Sequence, residues 1–226
     1  MSSLFHNLAK PTIRYCEQNL SGWIVQPANA SSSLLISLAG IYILTKKRHR
    51  YSLYLGVIAI VLGLASFFYY ASFTFIGQLA DLGSMYLLAS LVIVAALRRS
   101  KLTRATNLGI IAIGAGIPLA ITAFVRTVGN FNIGIPLFAM LLIVAVYLEL
   151  KSAKIEKLQL KFFGLTFVAF AIGYFFWWLD YKRIWCSSGT AHYINGHATW
   201  HFFNAVALLL LDRYYAQLSS PTKSAI

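Results

Sequence analysis

The sequence predicts an all-α integral membrane protein: one domain over residues 1–226, seven transmembrane helices, the amino terminus outside and the carboxyl terminus cytoplasmic. Three observations carry that prediction. Hydrophobic residues make up 59% of the 226 and charged residues 11%, with a mean hydropathy of +0.70, which is more apolar surface than a water-soluble domain of this length can bury. The apolar residues gather into runs of about 20, the length a helix needs to cross the hydrocarbon core, and not into the short alternating segments of a β-barrel. The basic residues gather into alternate connections between those runs.

Taken in order, an outer segment over 1–30 precedes the first run. It has no long apolar stretch behind positive charge, so no cleaved signal peptide is expected. The first run, Ser31 to Thr45, is the shortest, and its helix can start further back towards Trp23; Pro27 and the serines 31–33 suit a helix start at the membrane surface. The others are Ser52 to Tyr70, Gln78 to Leu97, Thr106 to Val125, Asn132 to Leu150, Leu160 to Leu179 and Ile194 to Leu211. Pro118 and Pro136 are tolerated inside such helices. Asn19-Leu20-Ser21 and Asn29-Ala30-Ser31 fit the glycosylation sequon, which matters only in a secretory compartment.

The net charge of +13 invites a nucleic-acid reading, but its distribution argues against one. Lys46, Lys47, Arg48 and Arg50 fill the first connection, Arg98, Arg99, Lys101 and Arg104 the third, and Lys151, Lys154, Lys157 and Lys161 the fifth. The positive-inside rule puts these connections, and the tail from 213, in the cytoplasm. Cys16 and Cys186, the two cysteines of the chain, then share the outer side. Thiols there can be oxidised together, which favours a bridge; two unpaired small apolar side chains are the alternative.

Chemistry concentrates at that outer side. His197 and His201 stand four residues apart, on one helix face, where both imidazoles can reach one metal ion. Asp81 is an acid within an apolar run, a costly placement that normally serves a polar cavity. The end of the second run, the start of the third and the start of the seventh meet at one depth, so Tyr70, Asp81, His197 and His201 become neighbours. Arg126 reads as a snorkelling side chain at an outer helix end, and Asp180 as a loop anchor or a partner for the outer segment.

These residues resemble the alkaline ceramidase family, one of a larger group of seven-helix membrane hydrolases that also includes adiponectin-receptor-like proteins. The family pattern Ser-x3-His-x10-Asp falls on Ser66, Tyr70 and Asp81; His-x3-His with an intervening Trp falls on His197, Trp200 and His201; Cys-Glu-x-Asn falls on Cys16, Glu17 and Asn19; and a cysteine before the last helix falls on Cys186. The resemblance implies zinc held by three histidines and a metal-activated water that cleaves the amide of a ceramide-like membrane lipid. It makes His197 and His201 ligands, Asp81 the group that orients the water and takes its proton, Ser66 a donor to the oxyanion, and Cys16–Cys186 a disulfide. Phe67, Phe68 and Trp200 are expected to line the channel for the lipid.

Two positions depart from the pattern. Tyr70 stands where the third zinc histidine belongs, and a phenol, which ionises near pH ~10, is an unusual zinc ligand. His192 lies five residues before His197, about 140° round a helix from the pair, and His6 is a remote substitute. Arg14 and Gln26 occupy places that resemble acidic calcium ligands in eukaryotic members, so with Glu17 and Asn19 they are expected to form a polar cluster without calcium, Arg14 pairing with Glu17 or Asp180. The alternative to a metal-dependent lipid amidase is therefore a catalytically impaired or non-enzymatic lipid-binding, receptor-like relative. The topology is checked by labelling single cysteines in sealed vesicles of known orientation: an impermeant thiol reagent added outside is expected to modify Thr74→Cys but not Gln159→Cys.

Overall fold

The computed structural model describes residues 10–46, 49–97, 103–129, 131–186 and 195–219. His6 and His192, much of the basic connections and the end of the tail lie outside the described residues. Seven α-helices follow an irregular segment over 10–26: α1 Pro27–Lys46, α2 Arg50–Ser72, α3 Phe75–Leu97, α4 Arg104–Val125, α5 Gly134–Glu156, α6 Lys161–Tyr181 and α7 Gly196–Tyr215, the last running into a 3-10 turn, Ala216–Ser219. A two-residue antiparallel hairpin, β1 Thr127–Val128 with β2 Phe131–Asn132, joins α4 to α5. It was not foreseen, being too short to leave a pattern.

Six helices, α1 to α6, are long and apolar enough to cross a membrane. The seventh has the length, at 20 residues, but not the hydropathy. His197, His201, Asn204, Asp212 and Arg213 lower its average, and of these His197, His201 and Asp212 are buried inside the bundle. The polarity that removes α7 from the apolar set is thus mostly directed inward, away from lipid. The first helix begins at Pro27, ahead of the apolar run, because Pro27 suits the first turn.

Sequential neighbours pack along most of the bundle: α1 on α2, α2 on α3, α3 on α4, and α6 on α7, while α7 closes back on α1 and α5 leans on α3. Consecutive α5 and α6 barely touch. The α1 and α2 backbones approach closely: a Cβ on Gly40 would come within 2.6 Å of the Gly56 carbonyl oxygen and one on Gly56 within 2.7 Å of the Leu44 side chain. Small residues at such crossings let backbones pack closely where lipid offers no hydrophobic drive.

Local rules set the helix starts. His49 caps α2 by accepting from Tyr51 N, Thr103 caps α4 from Thr106 N, and Asn195 caps α7 from Ala198 N. Phe73, in the left-handed region at φ 46°, ends α2 with its N–H on the Tyr69 carbonyl. At the opposite end of the bundle, buried Glu149 accepts from the Tyr214 and Tyr215 hydroxyls at 2.7 and 3.3 Å, and buried Asp212 accepts from Ser52 at 2.6 Å. Glu149 was not singled out in the sequence; it ends an apolar run and reads there as an interfacial charge.

The α1–α2 crossing gives a direct test. Gly56→Leu is expected to destabilise the detergent-solubilised protein by roughly 1–3 kcal/mol through overpacking, whereas Gly109→Leu, where a Cβ meets nothing within 4 Å, is expected to leave the melting temperature unchanged.

Candidate active site

The segment over 10–26 lies across the bundle end where α2 finishes and α3 and α7 begin. Thr12 exchanges hydrogen bonds with the Gln78 amide, its N–H to Oε1 and Nε2 to its hydroxyl, each 2.8 Å. Cys16 is disulfide-bonded to Cys186. Val25 and Gln26 donate backbone N–H groups to the carbonyls of Ala71 and Tyr70 at 3.0 Å, which fixes the start of α1 beside the end of α2.

Two carboxylates complete this attachment by capping helices from a distance. Glu17 accepts from Ala28 N at 2.7 Å and Asn29 N at 2.8 Å, the unpaired amides of the first turn of α1. Asp180 accepts from Cys16 N at 2.8 Å and His197 N at 3.1 Å, so one buried side chain joins the end of α6, the amino-terminal segment and the first turn of α7. Around Glu17, Gln26 donates to the Asn19 side chain at 2.8 Å and Asn29 donates to Gln26 at 3.0 Å. Arg14, expected beside these acids, is exposed. Asn29 is fully buried in the cluster, so its sequon is closed to a glycan in the folded chain.

Beneath the segment is a cavity of about 360 Å³ between α2, α3, α5, α6 and α7. Along α3 its lining runs from Gln78 to Val92, a depth of about 21 Å at the helical rise. Its polar end holds Ser66, Tyr70, Asp81, His197 and His201, and the remainder is chiefly apolar. Ile143 on α5 and Phe167 on α6 line it while standing 69% and 38% exposed on the outer surface. The gap between α5 and α6 thus brings the cavity to the face of the bundle that lipid would cover.

Ser66 donates a hydrogen bond to the Asp81 carboxylate, one helix to the next. The rings of His197 and His201 lie 4.7 Å apart between centroids and nearly perpendicular, on the inner face of α7. Ser32 lies 2.8 Å from His201 Nδ1, which leaves Nε2 of that ring for another partner. The Tyr70 hydroxyl is 2.6 Å from His197 Nε2, and the Tyr15 ring packs on His197 with centroids 4.1 Å apart. Trp200 lines the cavity as expected, but Phe67 and Phe68 do not. Because Ser66 and Tyr70 take the inner face of α2, the residues one and two places on rotate about 100° and 200° away from Ser66; Phe68 is 48% exposed.

The donors do not fit the zinc centre that the resemblance implies. Two ligands at ~2.0–2.1 Å from one tetrahedral zinc stand about 3.3 Å apart, whereas Tyr70 and His197 are in direct hydrogen-bond contact. A ligating histidine also normally offers its second ring nitrogen to a partner, and His197 Nδ1 is buried with none among the described residues. Nor do the described residues contain any group of three or more His, Cys, Asp or Glu placed to hold one ion. The two histidines share one face of α7, but the residue at the third position blocks one of them.

Ser32 and Tyr15 were not foreseen as site residues. Ser32 carried only a faint signal, as one of three consecutive serines entering an apolar run; Tyr15 sits beside Cys16 and carried no separate signal.

This architecture defines a class: a helical membrane protein with a buried polar site at one end of a deep apolar cavity. The family follows from comparison with known proteins. A family model described as Ceramidase matches residues 9–224, nearly the whole chain, and the protein belongs to that family. No curated protein matches the sequence.

Burial pushes Glu17 up to about 7 from the usual 4.5, against the two backbone amides that favour its charged form. The folded state therefore holds the proton more tightly than the unfolded chain. Stability from this group is fully present below pH 4.5 and is lost as pH rises through about 7. Melting curves are expected to show a fall in stability across that window, and Glu17→Gln, which cannot ionise, is expected to flatten it.

Proposed function

We propose that this protein is a seven-span membrane hydrolase that takes a ceramide-like lipid into its cavity and cleaves the amide bond, with the site facing the outer side of the membrane. The observation that carries this reading is the placement of Ser66, Asp81 and the histidine pair at the polar end of an apolar cavity in a chain of the Ceramidase family. An acyl chain can lie along the apolar part while the amide reaches the polar end. The α5–α6 gap is the entry from the bilayer, so the lipid need not cross water.

The chain's own residues supply proton transfer and charge stabilisation. Asp81, at the polar end of the cavity and held by Ser66, accepts the proton of an attacking water and returns it to the leaving amine. Ser66 turns its hydroxyl to the carbonyl oxygen as negative charge develops there. His201, anchored through Nδ1, presents its other nitrogen towards the same region. Glu17, whose two carboxylate oxygens cap α1, is a helix cap in this reading and not a calcium ligand.

The Tyr70–His197 hydrogen bond favours a second reading, in which the lipid is held but not cut. The two are separated by incubating purified protein with an N-acyl sphingoid lipid and measuring both bound lipid and released fatty acid. Hydrolysis is expected, with Asp81→Asn lowering it by roughly 10²–10⁴-fold, the usual range for loss of a general base, and lipid binding retained. Stoichiometric binding with no fatty acid released by wild type would establish the second reading instead.

A further inference from the structure

The disagreement between the expected zinc centre and the residues present has a physical form of its own. His197 and His201 sit on one face of α7 with ring centroids 4.7 Å apart; Ser32 occupies Nδ1 of His201, and in His197 it is Nε2 that faces Tyr70. That nitrogen already has a partner, the Tyr70 hydroxyl at 2.6 Å. The three rings close on one another, with Tyr70 centroids 4.9 Å from His197 and 5.3 Å from His201, and at 2.6 Å the Tyr70 hydroxyl leaves no room for an ion between itself and His197 Nε2.

The surroundings hold this arrangement in place. Tyr70 and His197 are 1% exposed, and His201 is 2% exposed. Tyr15 lies over both partners, its ring centroid 4.1 Å from His197 and 5.8 Å from Tyr70, and it is tethered through its neighbour Cys16 to Cys186 and to Asp180. Asp180 in turn holds the first turn of α7 through His197 N. Tyr69 also packs on Tyr70, its ring centroid 4.6 Å away.

We propose that in this chain the Tyr70 hydroxyl stands in place of a metal ion, that the native site is a metal-free tyrosine–histidine pair, and that the Tyr70 phenol is what keeps an ion from the histidine pair. An imidazole at position 70 would come from the same inner face of α2 with a ring nitrogen in place of a hydroxyl. Its shorter side chain would open the gap that the phenol now fills. Ser32 already anchors His201 through Nδ1, the support a ligating histidine uses. The inference concerns the same site as the proposed hydrolysis, but metal content reads it without any lipid, so failure of one leaves the other standing.

The test uses the full chain in detergent, saturated with zinc chloride, desalted and assayed for zinc by mass spectrometry and for melting temperature with and without the ion. Wild type is expected to retain no stoichiometric zinc and to show no zinc-dependent rise in melting temperature. Tyr70→His is expected to retain about one zinc per chain and to melt higher with it, and His197→Ala in that background is expected to abolish both effects. Stoichiometric zinc in wild type that is lost in His197→Ala would overturn the proposal, and so would a folded Tyr70→His protein that takes up none. If Tyr70→His does not fold, the wild-type measurement still decides whether the native site is metal-free, and Tyr70→Ala, which removes the hydroxyl without adding a ligand, is expected to bind zinc through the histidine pair more tightly than wild type; zinc binding no tighter than wild type would overturn the role of Tyr70.

Discussion

Asp180 is the interaction on which the rest of this end of the molecule depends. A carboxylate within a bundle is costly unless its oxygens are fully used, and here they meet backbone amides of Cys16 and His197. Those two bonds bring the amino-terminal segment and the start of α7 to the end of α6. The disulfide from Cys16 to Cys186 reinforces the same junction. Tyr15 therefore lies over the site, and the first turn of α7 is aimed so that His197 and His201 face the cavity. Glu17 repeats the device at α1, where it positions Ser32 beside His201. Helix N-termini, which carry partial positive charge and unpaired amides, are the fixed points to which the irregular segment is tied.

The polar end is organised by hydrogen bonds that cross between helices: Ser66 on α2 to Asp81 on α3, Tyr70 on α2 with His197 on α7, and Ser32 on α1 with His201 on α7. The first joins consecutive helices and the other two join elements distant in sequence, and each satisfies groups that would be expensive to leave unpaired away from water. The Tyr70–His197 pair is the exception to the family pattern and the reason a three-histidine zinc centre does not fit. A phenol at this place is well accommodated as a hydrogen-bonding neighbour of the imidazole and poorly accommodated as a fellow ligand. The family membership and the cavity support a lipid amidase, whereas this single contact is what any account of its chemistry has to include.

Much of this was legible in the sequence, and the parts that were not have a common cause. The helical runs could be read because length and hydropathy are local properties. The meeting of Tyr70, Asp81, His197 and His201 could be read because helices that traverse a slab bring alternate ends to one depth. What depends on rotation about a helix axis was less accessible: Phe67 and Phe68 were expected in the channel, but Ser66 and Tyr70 already occupy the inner face of α2. Tyr15 and Ser32 were missed because their roles come from tertiary attachment, and the hairpin between α4 and α5 because two-residue strands have no periodicity. The seventh helix shows the limit of hydropathy, since its inward-facing polar residues count against it as if they faced lipid.

The central claim is that the Tyr70 hydroxyl, and not a metal ion, is the partner of His197. The most direct measurement is a crystal structure of the wild-type protein grown with zinc, with diffraction data collected on either side of the zinc absorption edge. The account predicts continuous density for the Tyr70 hydroxyl against His197 Nε2 and no anomalous peak beside the histidine pair. An anomalous peak bonded to His197 and His201, with Tyr70 moved aside or ligating it, would contradict the account.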